Sequence, residues 1–309
     1  MQVSTSLFFN QATTQMGNMQ TALSKTQEQL STGLQLTQPS DSPSQAVAIQ
    51  NLNTKIDDQN TYTQNLTDAG TTLSTASTAL QTGSNVLNSI NTLAIQAANG
   101  TLGSSDLHVI GAQIQDLTSQ LESLANTQDA NGNYVFAGSK ASSPAFATNA
   151  DGQIVYQGDQ TPLNVQIGSN LTVQSNVSGT AAFPSVTSTN STTGQTTTVG
   201  FFQALTNLTT AVNSGNTADI EQGIGQIKSM TQGLNETLAQ LGNAQNMVKT
   251  QTNVVSANTL ALQSSLSTVQ ATDYTTAVTQ LSQEQLSLQA AQESFAQISK
   301  MSLFQYLGG

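Results

Sequence analysis

Between Gly242 and Gly308 the chain carries neither proline nor glycine. Nothing in that interval forces a helix to stop. The spacing predicts one helix from Asn243 to Leu307, about 60 residues and ~90 Å at the α-helical rise. Its apolar residues sit at helical intervals: Leu262, Leu266 and Val269, then Leu281, Leu288 and Phe295 seven apart. A seven-residue repeat is the seam of a helix that packs along another helix. The stretch ends in an apolar tip, Met301 to Leu307. A seam of this length cannot stay in water, so the rest of the chain must supply its partners.

Four other segments carry matching seams. Residues 4–32 place Met16, Leu23 and Leu30 seven apart, with Met19 beside them and Gly33 positioned as a C′ residue. The first ten residues of that segment have weak helical propensity. Residues 34–43 break the pattern, with Pro39 and Pro43 flanking Ser40, Asp41 and Ser42. Ser42 can cap the next helix and Pro43 can occupy its first turn. From Ser44 to Asn99, Leu66, Leu73, Leu80, Leu87 and Ala94 recur every seven residues, with Ala69, Ala76, Gly83, Ile90 and Ala97 in the second seam position. Ser105 is placed to cap a third helix, in which Leu107, Ile110, Ile114, Leu117, Leu121 and Leu124 alternate by threes and fours. Its short connection predicts an antiparallel return. Phe201 and Phe202 open another helical stretch, and Ile220, Ile224, Ile227, Leu234, Leu238 and Leu241 extend the stripe from Thr217. Gly223, Gly225, Gly233 and Gly242 are expected to weaken that last segment.

The period changes after Asp129-Ala-Asn131-Gly132. Tyr134 to Gly138, Ile154 to Tyr156, the alternation Leu163-Val165-Ile167 and the run Leu171-Val173-Val177 read as strands. Residues 184–199 are almost entirely small or polar and read as a loop. The fold expected is mainly α with a small inserted β domain: an elongated antiparallel helical bundle or coiled-coil rod with both termini at one end. The expected division is 1–43 with 272–309 as a terminal helical domain, 44–132 with 200–271 as the rod, and 133–199 as the β insertion. In this reading Asn243 to about Ala271 packs inside the rod, and the chain from Tyr274 onward pairs with residues 4–32.

Composition narrows the function classes. Charged residues are 7% of the chain, against roughly 25% in ordinary domains. All six basic residues are lysines, and the formal net charge is −11. Nucleic acid and anionic membrane surfaces are disfavoured partners, because both require concentrated Lys and Arg. No run approaches the ~18 apolar residues of a membrane span, and the N-terminus lacks the basic region and apolar core of a cleaved signal peptide. There is no cysteine, hence no thiolate chemistry or disulfide. The one histidine, His108, lies off the seam and cannot build a triad or a His-rich metal site alone. Asp129-Ala-Asn131-Gly132 resembles the start of a calcium loop, but the twelfth position is Lys140, where a bidentate Glu is required. No catalytic residue, cofactor site or metal site is expected.

Two motifs are more specific. Gln29-Leu30-Ser31-Thr32-Gly33-Leu34 followed by Pro39-Ser40-Asp41-Ser42-Pro43 resembles the N-terminal signature of the flagellin superfamily, in the proline-containing form of its hook–filament junction branch. Asn99-Gly-Thr101-Leu102, Asp129 to Gly138, and Ser302-Leu303-Phe304-Gln305-Tyr306-Leu307 resemble the same branch. The chain departs from the family at Gln2, at Leu34-Gln35 and at Ser42. The resemblance implies a non-enzymatic axial protein of the bacterial flagellum, secreted through the flagellar type III export apparatus. It implies a cytoplasmic export chaperone at the C-terminal region, a ring of copies of the chain itself, and junctions with hook-associated protein 1 and flagellin. The residues expected to make those contacts are Leu7, Phe8, Met16, Leu23, Leu30, Leu281, Leu288, Phe295, Leu303, Phe304, Tyr306 and Leu307. A short flagellin is the alternative in the same class, and a coiled-coil adhesin with a β head is the alternative outside it.

Overall fold

Ten predicted seam positions on the second long helix all become core. The computed structural model describes the backbone of residues 2–189 and 194–307 and the side chains of 6–188 and 194–300. Its helices are α1 (Gln2–Thr32), α2 (Pro43–Ala98), α3 (Ser104–Ala125), α4 (Gly179–Ala182), α5 (Phe201–Ser214), α6 (Thr217–Gln270) and α7 (Tyr274–Leu307). The strands are β1 (Phe146–Thr148), β2 (Ile154–Tyr156), β3 (Asn164–Gly168), β4 (Leu171–Gln174), β5 (Val186–Thr189) and β6 (Thr196–Val199). The chain forms two compact units, residues 59–257 and residues 1–58 with 258–309.

In the 59–257 unit, Leu66, Ala69, Leu73, Ala76, Leu80, Gly83, Leu87, Ile90, Ala94 and Ala97 of α2 are all buried. The small residues among them let neighbours close in. A methyl group on Gly83 would touch Leu121 of α3 and Leu234 of α6 at 3.5 Å, and one on Gly70 would touch Val248 of α6 at the same distance. Those two contacts fix α2 and α6 as antiparallel, residues 70 and 83 facing 248 and 234. The outer face of α2 is hydroxyl-rich. Thr67, Thr71 and Thr75 each donate to the carbonyl four residues back, at 2.9, 2.9 and 3.0 Å.

The glycines expected to weaken α6 do not interrupt it, because two of them are places of close approach. A Cβ on Gly223 would lie 2.7 Å from Leu208 Cδ1 of α5, and one on Gly233 would lie 2.6 Å from Pro184 Cγ. The helix gives up some propensity there and gains contact with its neighbours. Ser105 does not cap α3; the helix begins at Ser104 after an extended Gly103.

The inserted region differs from expectation in three ways. Tyr134 to Gly138 is not a strand. Ala137 N–H turns back to the Tyr134 carbonyl at 3.3 Å, and Gly138 takes a positive φ of 67°. Strand β1 is an addition, paired antiparallel with β2. Residues 184–199, read as a loop, contain the hairpin β5–β6, in whose Thr-rich strands Val186 alone is buried among the described side chains. Among the described residues the sheets are three separate two-stranded hairpins, β1–β2, β3–β4 and β5–β6. Such hairpins are marginal alone, and here their apolar residues join the helical core. Phe146 packs edge-on against Phe183 and Phe202 with ring centroids 5.5 and 5.1 Å apart, and Phe183 meets Phe136 and Phe201 similarly. Tyr156 ties the cluster together. Its hydroxyl donates toward the Phe136 and Asp159 carbonyls and accepts Gly179 N–H at 3.3 Å. Burial raises its pKa above the ordinary tyrosine value.

The expectation of one helix from Asn243 to Leu307 is corrected at its start and in its interior. Helix α6 begins far upstream at Thr217, and the helical path stops at Gln270 and restarts at Tyr274. The break needs no proline or glycine, because hydrogen bonds from residues 33–35 replace helical ones.

Leu87→Ala, at a site with no solvent exposure, should lower the unfolding free energy by about 2–5 kcal/mol. Val109→Ala, at a site 57% exposed, should change it by less than about 0.5 kcal/mol. Chemical denaturation of the two variants checks the contrast.

Candidate assembly interface

The unit formed by residues 1–58 and 258–309 is built on α1 and α7. They run antiparallel. Tyr274 Oη sits where a side chain on Gly33 would be, and Phe9 meets Phe295 edge-on at 5.3 Å between centroids. The two ends of the chain are therefore brought together. The seam is thin. Leu23, Thr26, Ala277 and Leu288 are its buried members, while Met16, Met19, Leu30, Leu281 and Phe295 are half-buried.

A clasp closes the inner end of this pair. Gln35 N–H donates to the Gln270 carbonyl at 2.8 Å, and Thr272 N–H donates to the Gly33 carbonyl at 3.0 Å. Leu34 and Ala271 thus form an isolated antiparallel bridge. Gly33 ends α1 with φ 71°, a left-handed conformation in which any side chain would also strike the Tyr274 hydroxyl. Asp273 then restarts the helix. Its Oδ1 accepts Thr275 and Thr276 N–H at 3.0 and 3.3 Å, and its Oδ2 accepts the Thr276 hydroxyl at 2.8 Å. The Thr276 hydroxyl, followed by these backbone donors, holds the Asp273 carboxyl below its ordinary pKa. On the other side, Lys25 Nζ lies 2.6 Å from Asp41 Oδ1 and anchors the connection between α1 and α2. That ammonium, helped by Gln38 N–H, likewise holds Asp41 low.

The residues singled out for assembly fall into three groups. Met16, Leu23, Leu30, Leu281, Leu288 and Phe295 lie in the α1–α7 seam. Leu7 and Phe8 do not join it and are 65% and 44% exposed. Leu303, Phe304, Tyr306 and Leu307 belong to the last turns of α7, and their side chains lie outside the described residues. Phe9, not Phe8, is the aromatic residue that packs on α7, and its position was legible: it lies seven residues before Met16, in register with Leu23 and Leu30. Thr26 and Ala277 are also seam members: the hydroxyl of the first hides it in the apolar pattern, and the second stands seven residues before a charged one, Glu284. Elsewhere, His108 is exposed, with Nδ1 3.3 Å from Asn213 Oδ1 of α5. Asp129 accepts Asn131 and Asn133 N–H at 2.9 and 3.0 Å, a turn-closing carboxylate. Among the described residues no three His, Cys, Asp or Glu side chains gather as a metal site.

Comparison with known proteins covers nearly the whole chain. The model for the bacterial flagellin N-terminal helical region matches residues 3–141, and that for the C-terminal helical region matches residues 222–307. The flagellar hook-associated protein 3 of Salmonella typhimurium is 29% identical over 99% of both chains. A flagellin of Clostridium tyrobutyricum is 27% identical over 55% of this chain and 44% of its own. The crystal structure of flagellar hook-associated protein 3 from Legionella pneumophila superposes with a TM-score of 0.64, covering 72% of this chain and 98% of that one, at 18% identity.

Asp273→Ala removes three acceptor contacts at the start of α7, so amide exchange at Thr275 and Thr276 should accelerate while the 59–257 unit keeps its protection. The pH dependence has a definite sign. A carboxyl whose pKa is lowered by folding stabilises the fold above its unfolded pKa and loses that contribution as pH falls through the folded value. Acid titration followed by exchange should therefore loosen the start of α7 only below the ordinary carboxylate range.

Proposed function

We propose that this chain, which belongs to the flagellin superfamily, is a structural adaptor in the axis of the bacterial flagellum, seated between hook-associated protein 1 and the flagellin filament. One observation carries the reading. The similarity to hook-associated protein 3 runs over 99% of both chains, whereas the flagellin match covers 55% of this one. The role is mechanical rather than catalytic. Its partners are further copies of itself in a ring, hook-associated protein 1 and flagellin, with a cytoplasmic chaperone on the C-terminal region during export through the flagellar type III apparatus.

The physical chemistry of the end unit supports this. A two-helix seam that leaves half its members partly in water gains burial when other chains cover it. Leu7 and Phe8, exposed beside the Phe9–Phe295 contact, would gain burial in this way, as would Leu286 on α7. In the isolated chain the outer parts of α1 and α7 should exchange their amides faster than the 59–257 unit does, which native-state amide exchange checks. With charged residues at 7% of the chain, contacts between copies rest on apolar burial and neutral hydrogen bonds rather than on ion pairs.

Deleting residues 301–309 should abolish incorporation at the hook–filament junction and motility, while the thermal unfolding of the 59–257 unit stays unchanged. Retained motility would sink the proposal. A seeded polymerisation assay separates the junction role from a short flagellin: long filaments growing from the chain's own seeds would favour the latter. Self-association, where measured, should vary little between low and high salt.

A further inference from the structure

Glu284 stands where a seam residue should be. Ala277, Glu284, Ala291 and Ile298 are spaced by seven along α7, and all four are buried or half-buried. Its Oε1 accepts from the Gln280 amide at 2.9 Å. Its Oε2 is sealed from solvent and has no hydrogen-bond partner. A carboxylate oxygen withdrawn from water without a donor is costly. It lies on a cleft of about 330 Å³ between α1 and α7 whose lining includes Lys25, Gln29, Asp273 and Glu284. Lys25 is the one cation among these lining residues. In the arrangement described it points to Asp41, on the connection to α2, at 2.6 Å, with its side chain still 42% exposed. Asp273, the other lining carboxylate, is already occupied by Thr275 and Thr276.

We propose that Lys25 is an exchangeable cation with two acceptors: Asp41, which pins the connection between α1 and α2, and Glu284, which lies in the α1–α7 seam. Lys25 lines the same cleft as Glu284 and meets Asp41 outside that lining, so a lysine on a flexible stem stands between the two carboxylates and can turn from one to the other. When it serves Asp41, the connection is fixed and the seam carries an unpaired oxygen. When it serves Glu284, the seam is satisfied and the connection is freed. The exchange links the order of residues 36–42 to the tightness of the helix pair. It holds whether or not the chain acts as a flagellar adaptor.

The test is amide exchange on the full chain in five variants that keep side-chain size: Glu284→Gln, Asp41→Asn, the double variant, and Lys25→Met in the Asp41→Asn background with and without Glu284→Gln. Glu284→Gln alone should leave α7 protection unchanged. Asp41→Asn should speed exchange in residues 36–42 and release Lys25 to Glu284. In that background, Glu284→Gln should cut protection across Thr276–Leu288 by about tenfold, the scale of one charge-assisted hydrogen bond. Lys25→Met in the same background should reproduce that loss, and adding Glu284→Gln to it should cost nothing more. The same Glu284→Gln effect with and without Asp41, or additive losses from Lys25→Met and Glu284→Gln, would overturn the exchange.

Discussion

A long helix with an apolar seam cannot exist alone in water, and that constraint organises the structure. Helix α2 presents ten seam positions that are all buried. They can be buried only because α3 and α6 lie close, and closeness depends on the small residues Ala69, Ala76, Gly83, Ala94 and Ala97. The hairpins follow from the same requirement. None of the two-stranded sheets could hold itself, and each borrows core from helices through residues such as Phe146, Phe183 and Ile167.

The end unit obeys the constraint less completely. Its seam leaves Met16, Met19, Leu30, Leu281 and Phe295 half-buried beside the sealed Leu23, Thr26, Ala277 and Leu288. Methionine adapts to uneven surfaces but specifies register poorly. The clasp of residues 33–35 with 270–272 supplies what the seam lacks. Its directional backbone bonds fix which turn of α1 faces which turn of α7, before any side chain is considered.

Much of this was legible in the residues. Heptad spacing located α1, α2 and α3, and Gly33 and Pro43 marked the ends of the break between the first two. The motif from Gln29 to Pro43 also pointed to the family that the comparisons establish. What stayed hidden has physical causes. The stop at Gln270 depends on hydrogen bonds from a segment more than two hundred residues away, although Asp273 followed by Thr275 and Thr276 is a local capping signal. The β5–β6 hairpin is mostly threonine, and burial along β6 does not alternate, so no two-residue period exposes it. Gly223 and Gly233 looked like weak points because propensity is local, whereas their contacts with Leu208 and Pro184 are not. Phe8 and Phe9 are adjacent, and only the heptad phase distinguishes the packed ring from the exposed one.

The threonine ladder on the outside of α2 has a consequence for how this protein meets its surroundings. Thr67, Thr71 and Thr75 direct their hydroxyl hydrogens into their own helix, each toward the carbonyl one turn back. What they turn outward includes a methyl group. The face is thus polar by composition and muted in chemistry: these three hydroxyl donors are already engaged, and Asp68 beside them accepts from the Gln64 amide. Such a surface offers a neighbouring molecule shape and few free hydroxyl donors.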